Sequence, residues 1–82
     1  MARRGLSDAE LHRRAVRAAR RMISAGERPG YRLQFAPDGS WSLVGLPGVT
    51  GTAASRRDAP DQARAAIAAV LEVPPDTFEV ET

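Results

Sequence analysis

YRLQFAPDGSWSLVGL, residues 31–46, decides the fold. Over residues 31–36 the side chains alternate, with Tyr31, Leu33 and Phe35 on one face and Arg32 and Gln34 on the other. A period of two is the signature of a half-buried strand. Pro37-Asp38-Gly39-Ser40 is a turn signal. Trp41 and Leu43 then continue an apolar face over residues 41–46, so the stretch reads as a β-hairpin that Leu46-Pro47-Gly48 ends. In this reading Val44 and Leu46 fall on the opposite face of the second strand.

Toward the C-terminus, residues 49–55 are rich in Thr and Ala and include Gly51, which predicts a weak edge or bulged strand. Asp58 is the expected N-cap of a helix with Pro60 in its first turn. Ala63, Ala66, Ile67, Val70 and Leu71 mark its buried stripe, and Pro74-Pro75 stops it. Phe78-Glu79-Val80-Glu81 alternates again, as a short final strand. Toward the N-terminus, Ser7 and Glu10 form a capping box, flanked by Leu6 and Leu11 at staple positions. Leu11, Ala15, Ala18, Ala19, Met22 and Ile23 follow helical spacing over about residues 8–25, and Gly26 and Pro29-Gly30 end the run. The expected fold is α+β: an N-terminal amphipathic helix, then a β-β-β-α-β antiparallel sheet with one packed helix. Residues 1–30 form a basic extension and residues 31–82 the main domain.

The expected core is one cluster of Leu33, Phe35, Trp41, Leu43, Ile67, Val70, Leu71 and Phe78. At 82 residues, with 15 alanines and no cysteine, that core is thin. A chain this short buries only about 60% of its unfolded surface. Val44 and Leu46 then need cover from the first helix or from a second subunit, and a homodimer, through an edge strand, is the expected assembly. The lack of cysteine fits a reducing, cytoplasmic setting. No apolar run is long enough to span a bilayer, and Arg3 and Arg4 are not followed by the apolar stretch of a signal peptide. No membrane association is expected.

The net charge of +2 conceals a division. Residues 1–32 hold nine Arg against Asp8, Glu10 and Glu27, which is +6, whereas residues 33–82 hold three Arg against seven acids, which is −4. On a helical wheel Arg13, Arg14, Arg17, Arg20 and Arg21 occupy the face opposite the apolar one. Three readings stay open for them: phosphate contacts on nucleic acid, a solvated face in an Arg- and Ala-biased chain, and a surface for an acidic protein. Aromatic residues are absent from this helix, so base stacking is not supported.

Catalytic chemistry finds little footing. The first two strands carry no acid before Asp38 in the turn, and Glu79 and Glu81 point away from Phe78 and Val80, so a carboxylate cluster for divalent metal is not expected. His12 has no Ser or Asp at motif spacing and reads as a residue at the edge of the core. The Gly-rich residues 45–51 lack a Walker lysine and read as a loop. Trp41 is a hot-spot residue type, but its place beside Leu33 and Phe35 favours the core. No enzyme activity, cofactor or metal is expected.

Residues 31–82 carry a further pattern: a strand, an Asp-Gly turn, a Trp-bearing strand, Leu46-Pro47-Gly48, a Thr-containing strand, a helix opening at Ala59-Pro60-Asp61-Gln62-Ala63, and the close from Val73 through Pro74-Pro75-Asp76-Thr77-Phe78 to Val80. In this order the chain resembles the HicB-like antitoxins of type II toxin–antitoxin systems. The resemblance implies a partial RNase H-like sheet and a non-enzymatic protein that neutralises a small HicA-type mRNA-cleaving toxin by covering its active surface. Many such antitoxins carry a DNA-binding domain after the last strand. Here the sequence given ends at Thr82 and residues 1–30 are added, which puts operator binding in doubt. The alternative is a small Arg-rich nucleic-acid-binding regulator that works through helix 8–25.

Overall fold

The computed structural model describes residues 7–82. Leu6, Arg3 and Arg4, named above for the helix staple and the basic extension, lie outside the described residues. The elements are α1 (Asp8–Ser24), β1 (Gly30–Phe35), β2 (Ser40–Val44), β3 (Thr50–Thr52), α2 (Ala59–Leu71) and β4 (Glu79–Glu81). The sheet order is β3-β2-β1-β4. The chain is α+β, but its sheet is mixed rather than antiparallel. β1, β2 and β3 form an antiparallel meander, while β4 runs parallel to β1, pairing Tyr31 with Val80. The reason is the α2 connection: a helix laid along the sheet returns the chain in the direction of the strand it joins.

The hairpin is built as its sequence demands. Phe35 and Trp41 are the last pair of the β1–β2 ladder. Gly39 sits at φ 91°, the left-handed residue that closes a type I turn with a bulge. The Asp38 carboxylate accepts from both the hydroxyl (2.6 Å) and the amide (3.0 Å) of Ser40. The hydroxyl first, and then the amide, hold that carboxyl below its ordinary pKa.

β2 stops at Val44 because Gly45 adopts φ 95°. That residue breaks the alternation, and Leu46 turns inward to full burial (0% exposed), while Val44 stays out at 49%. Leu46 therefore needs no second layer, contrary to expectation, whereas Val44 lies uncovered on the opposite face as expected. Both helices lie on one face of the sheet, sharing a core of Ala19, Tyr31, Trp41, Leu43, Leu46, Val49, Ala53, Ala59, Ala63, Ile67, Leu71 and Phe78. The shortest Cα dimension is 17 Å, the depth of one sheet and one helical layer. Leu33, Phe35 and Val70 pack at the rim of this core, half-buried. Burial raises the pKa of the Tyr31 phenol.

α1 is capped by Ser7 as expected, its hydroxyl accepting from the Glu10 amide at 3.2 Å. The capping box is not closed in its usual form, since the Glu10 carboxylate takes the Ser7 hydroxyl, at 3.2 Å, rather than the Ser7 amide. It closes with Gly26 at φ 84°, the amides of Gly26 and Glu27 donating to the carbonyls of Ile23 and Met22, a Schellman motif. α2 opens differently. Asp58 is in the right-handed region and makes no capping bond; its carboxylate instead accepts from the Ser55 hydroxyl at 3.2 Å. A helical backbone at that position aims the side chain away from the free amides of the first turn.

At the other end of α2, Glu72 holds φ 58°, a left-handed conformation that costs a residue with a Cβ about 1–2 kcal/mol. Glu72→Gly is expected to stabilise the protein by about 1 kcal/mol. For a domain of this size that is a melting temperature higher by roughly 4–8 °C, read by calorimetry. An unchanged or lower melting temperature would refute the strain.

Candidate binding surfaces

The structure separates the five arginines of α1. Arg13, Arg17 and Arg20 line a groove of about 380 Å³ with His12, Val16 and, from α2, Val70. Arg14 and Arg21 are exposed and do not line it. Ala19 is the one fully buried position of α1, and its small side chain lets the helix approach the core closely. Leu11 and Met22, on the apolar arc of the wheel, remain 40% and 36% exposed. The packed part of the arc is the side of Val16, Ala19 and Ile23, so only part of the apolar face touches the rest of the chain.

Among the described residues the ion pairs are Arg28–Glu79 at 3.2 Å and Arg32–Glu81 at 3.8 Å. The α1 arginines take no part in them. Glu10, near Arg13 and Arg14 in sequence, is engaged with Ser7. The α1 face therefore keeps its positive charge, while β4 shares its carboxylates with the β1 side.

The sheet face away from the helices is open. It carries Arg32 and Gln34 from β1, Ser42 and Val44 from β2, Thr50 and Thr52 from β3, and Glu79 and Glu81 from β4, a flat polar surface with one exposed aliphatic residue. A second groove, of about 350 Å³, lies between Leu33, Phe35, Arg56, Pro60 and Thr82. There the Arg56 guanidinium sits 5.5 Å from the centre of the Phe35 ring, a cation–π distance.

No family model, curated protein or solved structure matches the chain. Its surfaces have to be read from their own chemistry. Among the described residues no group of three His, Asp or Glu side chains is placed to hold a metal ion. No helix among them is long and apolar enough to cross a membrane.

Two anchoring residues had no signal in the sequence. His12 Nδ1 lies 2.7 Å from the Pro47 carbonyl, so its Nδ1–H donates there and ties α1 to the β2–β3 loop. Arg64 donates to the Pro75 carbonyl at 2.9 Å and lies 5.8 Å from the centre of the Phe78 ring, clamping the segment that leads into β4. Both contacts join residues far apart in sequence, which no local spacing reveals. Trp41 is buried, and its indole N–H donates to Gln62 Oε1 on α2 at 3.1 Å.

Proposed function

We propose that this protein is a non-enzymatic binding module of the HicB-like antitoxin kind, whose partner is a small HicA-type mRNA-cleaving toxin. The observation that carries the reading is the architecture of residues 31–82: an antiparallel β1-β2-β3 meander, one helix crossing a single face, and β4 laid beside β1. That arrangement accords with the partial RNase H-like sheet of such antitoxins, reached in the order of the motifs that carry the resemblance. The chemistry points the same way. β1, β2 and β3 hold no carboxylate, and the two on β4, Glu79 and Glu81, pair with Arg28 and Arg32, whereas a metal-dependent nuclease of this shape would need clustered acids free to hold the metal. A protein that cleaves mRNA must attract a polyanion, so its working surface is cationic, and a cover for it has to be acidic. Residues 33–82 meet that need with a net charge of −4, seven carboxylates against Arg56, Arg57 and Arg64; the acids Asp38, Asp58, Asp61, Glu72, Asp76, Glu79 and Glu81 are all exposed.

The test is co-expression with the product of the adjacent gene. The expected result is a neighbour that arrests growth and cleaves mRNA when expressed alone. With this chain present, growth recovers and the two proteins elute together after affinity capture and gel filtration. A neighbour without toxicity, or one that fails to co-elute, would refute the reading.

A further inference from the structure

The α1–α2 groove has a construction that the antitoxin reading does not use. Val16 and Val70 are half-buried beside it, and the exposed Arg13, Arg17 and Arg20 line its helix α1 side. We propose that this groove is a docking site for an acidic amphipathic helix of a partner protein, whose carboxylates meet Arg13, Arg17 and Arg20 and whose aliphatic side chain packs on Val16 and Val70.

Three arguments select that occupant. First, the arginines follow i, i+4, i+7 spacing and extend over roughly 10 Å along the helix axis, at a rise of 1.5 Å per residue. An antiparallel helix with carboxylates at i, i+3 and i+7 has the same rise and sets one acid opposite each guanidinium, the pairing in which Arg bonds best. Second, an aliphatic contact of the kind Val16 and Val70 offer has no counterpart on a phosphodiester backbone; no Phe, Tyr or Trp lines the groove, and its one aromatic ring, the His12 imidazole, is tied to the Pro47 carbonyl. Third, a second copy of α1 would bring guanidinium against guanidinium, and like charges across an interface are repelled. The groove lies on the helical layer, away from the open sheet face, and the inference stands whether or not the partner of residues 31–82 is a toxin.

The experiment uses the whole protein and a synthetic amphipathic helix bearing three Glu at i, i+3 and i+7 beside a Leu stripe, with a counterpart in which Gln replaces each Glu. Binding is read by fluorescence anisotropy at low salt. The Glu helix is expected to bind and the Gln helix to bind far more weakly. Joint replacement Arg13→Gln, Arg17→Gln and Arg20→Gln is expected to weaken binding roughly tenfold, the scale of three exposed charge pairs, because Gln keeps the helix propensity and removes only charge. Val16→Ser should weaken it too while leaving its salt dependence intact, and Arg14→Gln with Arg21→Gln should leave it unchanged. Circular dichroism of each variant checks that the fold is kept. Equal binding of the two helices, or full binding by the triple variant, would overturn the proposal. So would failure of the Glu helix to bind. Binding of duplex DNA with a salt slope that flattens by about one per arginine removed, without binding of the Glu helix, would assign the arginines to phosphate instead.

Discussion

Ile67→Ala is expected to lower stability by about 2–5 kcal/mol, enough to leave much of the protein unfolded at 37 °C. The α2 positions that face the sheet are Ala59, Ala63, Ile67 and Leu71, each with no exposed surface. Their spacing of four puts them in a single row, and two of them are alanines that contribute one methyl group each. The helix therefore depends on Ile67 and Leu71 for its grip. Truncation at Ile67 removes three carbons from a site fixed on both sides, by the sheet and by the rest of α2, so little relaxation fills the space. Small domains hold only about 0.05–0.15 kcal/mol per residue, and the loss is a large share of that. Urea unfolding measures it: the midpoint should fall sharply with the slope unchanged. Ile67→Val should cost about 0.5–1.5 kcal/mol, giving a graded series. An Ile67→Ala midpoint equal to that of the wild type would mean that α2 does not pack on the sheet through this row.

The same packing shows where the sequence is readable. Residues whose role is set by near neighbours are legible: the hairpin from its alternation and Asp38-Gly39 turn, the start and end of α1 from Ser7, Glu10 and Gly26, and, of the expected α2 stripe, Ala63, Ile67 and Leu71 from their spacing, while Ala66 and Val70 are only partly buried. Local patterns mislead at Leu46 and Asp58, where one residue's backbone overrides them. Gly45, at φ 95°, ends β2 and sends Leu46 inward, which strict alternation placed on the outer face. Asp58 has the right side chain for an N-cap in the wrong conformation. The direction of β4 depends on the path of α2 across the sheet, which no local pattern encodes.

The binding surfaces divide in the same way. The arginine face of α1 was visible as a periodicity, because an amphipathic helix writes its two faces into the spacing. Its partition was not visible. Which arginines line a groove depends on where α2 lies, and Val70, the α2 contribution, reads from sequence as an ordinary core residue. Leu33 and Phe35 are similar: period-two alternation assigns their face, but the position of α2 leaves them at the rim, beside Arg56, rather than at the centre.

Gly51 is the central residue of β3. It pairs with Trp41 across the β2–β3 ladder, and a Cβ at Gly51 would lie 2.7 Å from Cζ2 and 2.8 Å from Cε2 of the Trp41 indole. The ring thus lies against the bare backbone of the glycine. It has little freedom to withdraw, since it is 4% exposed and its N–H is bonded to Gln62. Gly51→Ala is therefore expected to destabilise the protein by about 1–3 kcal/mol through overpacking, although Ala is otherwise no worse than Gly in a strand. The cause can be isolated, because the three atoms nearest that Cβ all belong to the Trp41 indole. Trp41→Leu alone should cost several kcal/mol, roughly 3–5 by analogy with other truncated aromatics. With that ring gone, adding Gly51→Ala should cost little, so the two changes together fall short of their sum by an interaction of about 1–3 kcal/mol. Urea midpoints of the two single variants and the double variant complete the cycle. Strict additivity would show that Gly51 is glycine for a reason other than the indole above it.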